Sequence, residues 1–145
     1  MRTRTSTWFE CKIRYDKMME DGMQKKITEL YVVDALSFTE AESSIIDEMS
    51  AYISGEFEVR DIKKAPYGEI FFSEDASADR FFKAKLQFIT IDEKTEKEKR
   101  SNVNYLVHAN TFNQAVANID KVMGTTAIDY VIASVAETQI MDVFE

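Results

Sequence analysis

The 145 residues include one histidine, one cysteine, one proline and four glycines, and each scarcity removes a class of chemistry. His108 is the sole histidine available to activate a Ser, Cys or Thr nucleophile. Cys11 has no second cysteine with which to close a disulfide, and nothing points to an oxidising compartment. Zinc sites need paired Cys or His spacings, and calcium loops need a fixed order of oxygen ligands; neither pattern is present. Gly22, Gly55, Gly68 and Gly124 are scattered, so there is no P-loop or dinucleotide fingerprint. No apolar run approaches the roughly 18 residues of a membrane span. The start, "MRTRTSTWFECK", carries charge without the apolar stretch of a secretory signal. These absences lead us to expect a cytoplasmic protein with no membrane segment, metal site or cofactor, and no enzymatic activity.

What is present is a large apolar content. Hydrophobic residues make up 45% of the chain, with ten Phe, six Tyr and one Trp, enough to fill the core of one domain. The net charge of −8 argues against a globally basic nucleic-acid binder. Its distribution is uneven. Residues 37–58 hold Glu40, Glu42, Asp47, Glu48, Glu56 and Glu58 and no Lys or Arg, whereas residues 2–17 and 80–100 are mildly basic.

The chain repeats itself. "YVVDALSFTEAESSIIDEM" (31–49) aligns with "YLVHANTFNQAVANIDKVM" (105–123), with identities at Tyr31/Tyr105, Val33/Val107, Ala35/Ala109, Phe38/Phe112, Ala41/Ala115, Ile45/Ile119 and Met49/Met123. "WFECKIRY" (8–15) likewise lies over "FFKAKLQF" (81–88), and "FEVRDIKKAPYGEIF" (57–71) over "YVIASVAETQIMDVF" (130–144). Self-similarity at a nearly constant offset marks an internal duplication. The expected organisation is one domain, residues 1–145, made of repeats 7–73 and 80–144 joined by the polar loop 73–80.

Each repeat reads as β-β-α-β(-β). Phe9, Cys11, Ile13 and Tyr15 alternate with Glu10, Lys12 and Arg14; Phe82, Ala84, Leu86 and Phe88 alternate with Lys83, Lys85 and Gln87. That period of two marks a half-buried strand. Asp21-Gly22 suits a hairpin turn, and "DEKTEKEK" (92–99) is a longer charged loop. A second, more apolar strand follows. Ser37-x-x-Glu40 and Thr111-x-x-Gln114 then have the form of capping boxes, in which the Glu or Gln returns to the N–H of the cap. They open helices with apolar stripes at Phe38, Ala41, Ile45, Met49 and Tyr52 and at Phe112, Ala115, Ile119 and Met123, ended by Gly55 and Gly124. Further strands are expected at 56–65 and 128–136, with bends at Pro66-Tyr-Gly68 and "ETQ" before "EIFF" and "MDVF". The fold class is α+β: antiparallel sheets with one helix per repeat and a pseudo-two-fold axis.

One arrangement on the outward face of each first strand is a candidate site. Trp8 is followed at alternate positions by Glu10, Lys12 and Arg14, and Phe81 by Lys83, Lys85 and Gln87. Single strands of nucleic acid are held by such mixtures, bases on rings and phosphates on cations. The same residues also describe an ordinary solvated strand. His108 reads as a strand histidine with a hydrogen-bond partner, leaving carboxylates around it as the thin case for an enzyme. Cys11 reads as a small buried hydrophobe.

From "TWFECKIRY" to "AETQIMDVFE" the chain resembles a bacterial and bacteriophage family known only as a domain of unknown function, above all in "YVVDALSFTEAE" and "ETQIMDVF". The resemblance implies no catalytic residue. Its phage occurrence implies an accessory role near nucleic acid, by association alone. Read across the repeat junction, the order ββ-α-ββββ-α-ββ is similar, in topology only, to duplicated single-strand-binding folds. The expected function is therefore a non-catalytic binding or accessory protein for single-stranded nucleic acid or a nucleic-acid-processing complex. The alternative is a protein–protein adaptor or homodimeric scaffold working through its edge strands and acidic first helix.

Overall fold

The alternation that begins at Trp8 becomes a long strand flanked on both sides by antiparallel neighbours, and the alternation that begins at Phe81 becomes another. The computed structural model describes residues 1–145. In chain order the elements are β1 (Arg2–Thr5), β2 (Trp8–Met18), β3 (Gln24–Asp34), α1 (Phe38–Tyr52), β4 (Phe57–Lys64), β5 (Glu69–Phe72), β6 (Arg80–Ile91), β7 (Glu98–Ala109), α2 (Phe112–Met123), β8 (Asp129–Glu137) and β9 (Ile140–Phe144). The class is α+β.

The chain divides into two units. The α1 unit comprises residues 6–65 and 139–145, and the α2 unit residues 1–5 and 66–138. The α1 unit has a four-stranded sheet in the order β4-β2-β3-β9, and the α2 unit a five-stranded sheet in the order β1-β5-β7-β6-β8. The expected all-antiparallel pairing is corrected at two strands: β9 runs parallel to β3 and β5 runs parallel to β7, so both sheets are mixed. β5 follows the β2–β3 hairpin in sequence but joins the sheet of the β6–β7 hairpin, and β9 follows the β6–β7 hairpin but joins the sheet of the β2–β3 hairpin. β1 has no apolar alternation, and it joins the edge of β5 with Arg2 opposite Phe72 and Arg4 opposite Ile70.

The two units match in detail. Each β2–β4 and β6–β8 ladder carries a bulge at the same place, with Arg60 extra opposite Lys12/Ile13 and Ala133 extra opposite Lys85/Leu86. The carbonyl of Trp8 accepts from Ala65 N–H at 2.8 Å, and that of Phe81 from Thr138 N–H at 2.9 Å. Phe144 sits opposite Val33 and Phe71 opposite Val107. In the α1 unit, Phe9, Cys11, Ile13 and Val33 pack against Ala41, Ile45 and Met49 of α1. In the α2 unit, Phe82, Ala84, Leu86, Tyr105 and Val107 pack against Ala115, Ile119 and Met123 of α2. Burying each of the Phe, Ile, Val, Leu and Met side chains among these stabilises by about 1.5–3 kcal/mol. The predicted stripe ends, Phe38, Tyr52 and Phe112, remain exposed.

Local signals explain the helix limits. Ser37 and Thr111 cap the helices, each accepting from the backbone N–H three residues on at 3.1 Å. The returning bond differs from expectation: Glu40 and Gln114 reach the N–H of Leu36 and Asn110, one residue before the cap, at 3.3 and 2.8 Å. Gly124 ends α2 in right-handed backbone (φ −64°), not in the left-handed cap the glycine suggests. Its reason is space, since a Cβ there would lie 2.8 Å from the Asp120 carbonyl oxygen. Gly22 does supply a positive φ, 82°, in the β2–β3 turn. The charged loop between β6 and β7 shrinks to residues 92–97, where Asp92 accepts from the N–H of Lys94 and Thr95.

Candidate functional site

The six candidate residues split by depth. Trp8 and Phe81 are 1% and 4% exposed, so neither presents a ring face to a base. Alternation assigns both to the helix-free side of their sheets but says nothing about whether that side is covered. Glu10, between Trp8 and Lys12 on the same face, is also buried, with its carboxylate 3.8 Å from Lys63 Nζ. Lys12 and Lys85 are exposed, and Arg14 and Lys83 half-buried.

The cations differ between units. In the α1 unit, Lys12 stands beside Asp61 and Arg14 beside Glu58 on β4, so neighbouring carboxylates offset their field. In the α2 unit, Lys85 lies between Ser134 and Asn104, and Lys83 between Ala136 and Leu106. Gln87 continues this row, donating to Asn102 and accepting from Arg100. Lys12 and Arg14 thus each have a carboxylate opposite on β4, whereas Lys85 has uncharged residues opposite on both sides.

His108 occupies the position on β7 that Asp34 occupies on β3: it faces Phe81 as Asp34 faces Trp8. Its ring stacks on Phe81 at 4.8 Å. Nδ1 accepts from Ser73 N–H at 3.3 Å, and Nε2 lies 2.9 Å from the Ala78 carbonyl oxygen. The amide can only donate and the carbonyl only accept, so the proton sits on Nε2. Both nitrogens are used to fasten loop 73–79, and no carboxylate meets the ring. Asp75 secures the same loop by accepting from Ser77 and Gln114, bonds that hold its pKa below the usual value. Cys11 is buried, and desolvation, then Asp61 and Glu10, push its thiol up to about 12. A thiol that holds its proton at neutral pH is a poor nucleophile.

Sequence reading missed two features. The first is the outer edge of β8. Of the four sheet edges, β1 carries Arg2 and Arg4, β4 carries five charged residues, and the short β9 carries Asp142. β8 has seven consecutive uncharged residues, Tyr130–Ala136, between Asp129 and Glu137, with Val131, Ala133, Ser134 and Ala136 exposed. The composition was visible as a strand; its edge position was not. The second is a set of three rings, Tyr31, Phe144 and Tyr52, assembled from β3, β9 and the last residue of α1. These positions are too far apart in sequence to suggest one another. No helix is long and apolar enough to cross a membrane.

Neither a curated protein nor a solved structure matches the chain. One family description does, over residues 7–145. That span holds both hairpins, both helices and the two strands that run parallel to their neighbours. The chain belongs to the family described as "Domain of unknown function (DUF4494)".

Proposed function

We propose that this chain is a non-catalytic, cytoplasmic binding module that arose by internal duplication and acts through strand pairing along β8, with a second copy of itself as the partner. The carrying observation is the uncharged edge Tyr130–Ala136. An edge strand offers a row of N–H and C=O groups to any passing strand, and proteins that stay monomeric usually guard such edges with charge. Three edges of this chain are so guarded and β8 is not. An antiparallel pair centred on Ile132 sets Asp129 opposite Val135 and keeps it away from Glu137 of the other copy, so no like charges face one another. The matching registers and bulges of the two units support the duplication. The engaged ring of His108 and the buried thiol of Cys11 support a non-catalytic role.

Light scattering across a concentration series is the test. Wild type should approach twice the 16.7 kDa chain mass, and Val131→Lys and Ser134→Lys should remain monomeric. Because each copy carries −8, added salt should strengthen the dimer by screening repulsion.

A second reading is favoured by one observation: the residues opposite Lys85 on its two neighbouring strands, Asn104 and Ser134, are uncharged. Single-stranded nucleic acid, or a phage-type complex that handles it, would then meet the α2 unit through phosphate contacts without ring stacking. Fluorescence anisotropy with labelled oligonucleotides tests this. Binding should weaken with salt and be lost in the Lys12/Arg14/Lys83/Lys85→Glu variant; equal binding by that variant removes the reading.

A further inference from the structure

The rings of Tyr31 and Phe144 stack at 5.6 Å and 19°, and Phe144 and Tyr52 at 6.3 Å and 29°. With Met141 and Asp142 they line a concavity of about 170 Å³. Tyr52 is 70% exposed, so the pocket opens to solvent.

Three sources of negative potential converge there. The faces of aromatic rings carry the negative lobe of their quadrupole. Tyr52 ends α1, where the helix dipole is negative, and the last turn of α1 contains no basic residue. Asp142 adds a carboxylate whose hydrogen bond comes from Val143 N–H at 2.8 Å, and no Lys or Arg lies within ion-pair distance of it. Nearby Glu29 accepts from the hydroxyls of Tyr15 and Tyr31 and has no basic partner either. A metal ion would want several oxygen ligands, and no group of three potential ligands forms. A nucleotide phosphate or another anion would be repelled.

The α2 unit lacks this combination. It keeps the equivalent ring pair, Phe71 and Tyr105 at 4.6 Å, but α2 has Lys121 in its last turn and ends at Gly124 with Thr125 and Thr126 beyond, without a third ring.

We propose that the pocket of Tyr31, Tyr52, Met141, Asp142 and Phe144 binds a cationic side chain, a guanidinium or an alkylammonium, presented by a peptide. The cation lies against the rings and pairs with Asp142. Cation–π recognition of this kind is a common use of clustered surface aromatics. The site is separate from the β8 edge and does not depend on it.

The experiment is a nuclear magnetic resonance titration of the full chain with a short acetylated and amidated Ala-Arg-Ala peptide, beside the same peptide with neutral citrulline in place of arginine. Saturable shifts at residues 31, 52 and 141–144 are expected with the arginine peptide in the millimolar range, and little with citrulline. Tyr52→Leu and Asp142→Asn should each weaken binding at least fivefold; both positions are exposed, and the same spectra report whether the fold is kept. Absence of saturable shifts up to about 10 mM peptide, equal response to citrulline, or preferential binding of adenosine monophosphate at these residues would overturn the proposal.

Discussion

Tyr31 and Phe144, 113 positions apart in the chain by their numbers, stack at 5.6 Å because the last strand lies parallel to β3. Phe71 and Tyr105 meet at the corresponding place in the α2 unit, at 4.6 Å with the rings tilted by 32°. A five-residue strand thus completes the edge of the α1 unit and supplies a ring to its core.

Phe144→Ala should therefore loosen that unit. Fully buried Phe→Ala changes cost about 3–5 kcal/mol, and a half-buried ring should cost about 2 kcal/mol. Urea denaturation measures the loss, and hydrogen exchange should quicken first at Tyr31–Val33, which pair with β9. An unchanged midpoint would mean that β9 contributes little.

The glycines near the two helix ends should behave differently: Gly124 caps α2, whereas α1 is capped by Ile53 and Gly55 lies two residues beyond. Gly124→Ala drives a Cβ to within 2.8 Å of backbone at Asp120 and should destabilise by about 1–2 kcal/mol. Gly55 has open space around it, so Gly55→Ala should stay within about 0.5 kcal/mol of wild type. Thermal unfolding of the pair tests whether close approach, and not left-handed backbone, explains Gly124.

Element order was largely legible because its signals are local. Alternation in "FECKIRY" and "FKAKLQF" needs only the pleat, and Ser37 and Thr111 announce their helices through bonds three residues long. The strand exchange was not legible. "EIFF" and "IMDVF" are apolar and short, and nothing in either says which sheet will receive it or in which direction. β1, "RTRT", escaped because it contributes backbone bonds to β5 and no apolar face. The burial of Trp8 and Phe81 escaped for a related reason: period two separates faces without revealing which are covered.

His108→Ala should free the Ser73 N–H and the Ala78 carbonyl and remove a ring from Phe81. Two lost hydrogen bonds predict a cost of about 2 kcal/mol. Limited proteolysis should cut within 73–79 faster than in wild type. Unchanged cleavage would contradict the assignment of His108 as the fastener of this loop.

High pH should weaken the fold. Burial raises the Cys11 thiol from 9.0 to about 12. Burial, with Glu29, raises the Tyr15 hydroxyl from 10.0 to about 12, and a bond to Asp120 does the same for Tyr130. In each case the folded chain keeps a proton that the unfolded chain releases. Their contribution is intact below about pH 9 and is lost as pH rises toward 12. Denaturation midpoints should be level from pH 7 to 8.5 and fall from about pH 9 upward; thiol reagents should reach Cys11 only as the protein unfolds.

The β8 contact is tested most directly by multi-angle light scattering of wild type and Val131→Lys over a wide concentration range, at low and moderate salt. A mass that climbs toward twice 16.7 kDa for wild type, more readily with salt, and a constant monomer mass for the variant are the expected results. A wild-type protein that stays at the single-chain mass at the highest concentration, or a variant that associates equally well, would contradict it.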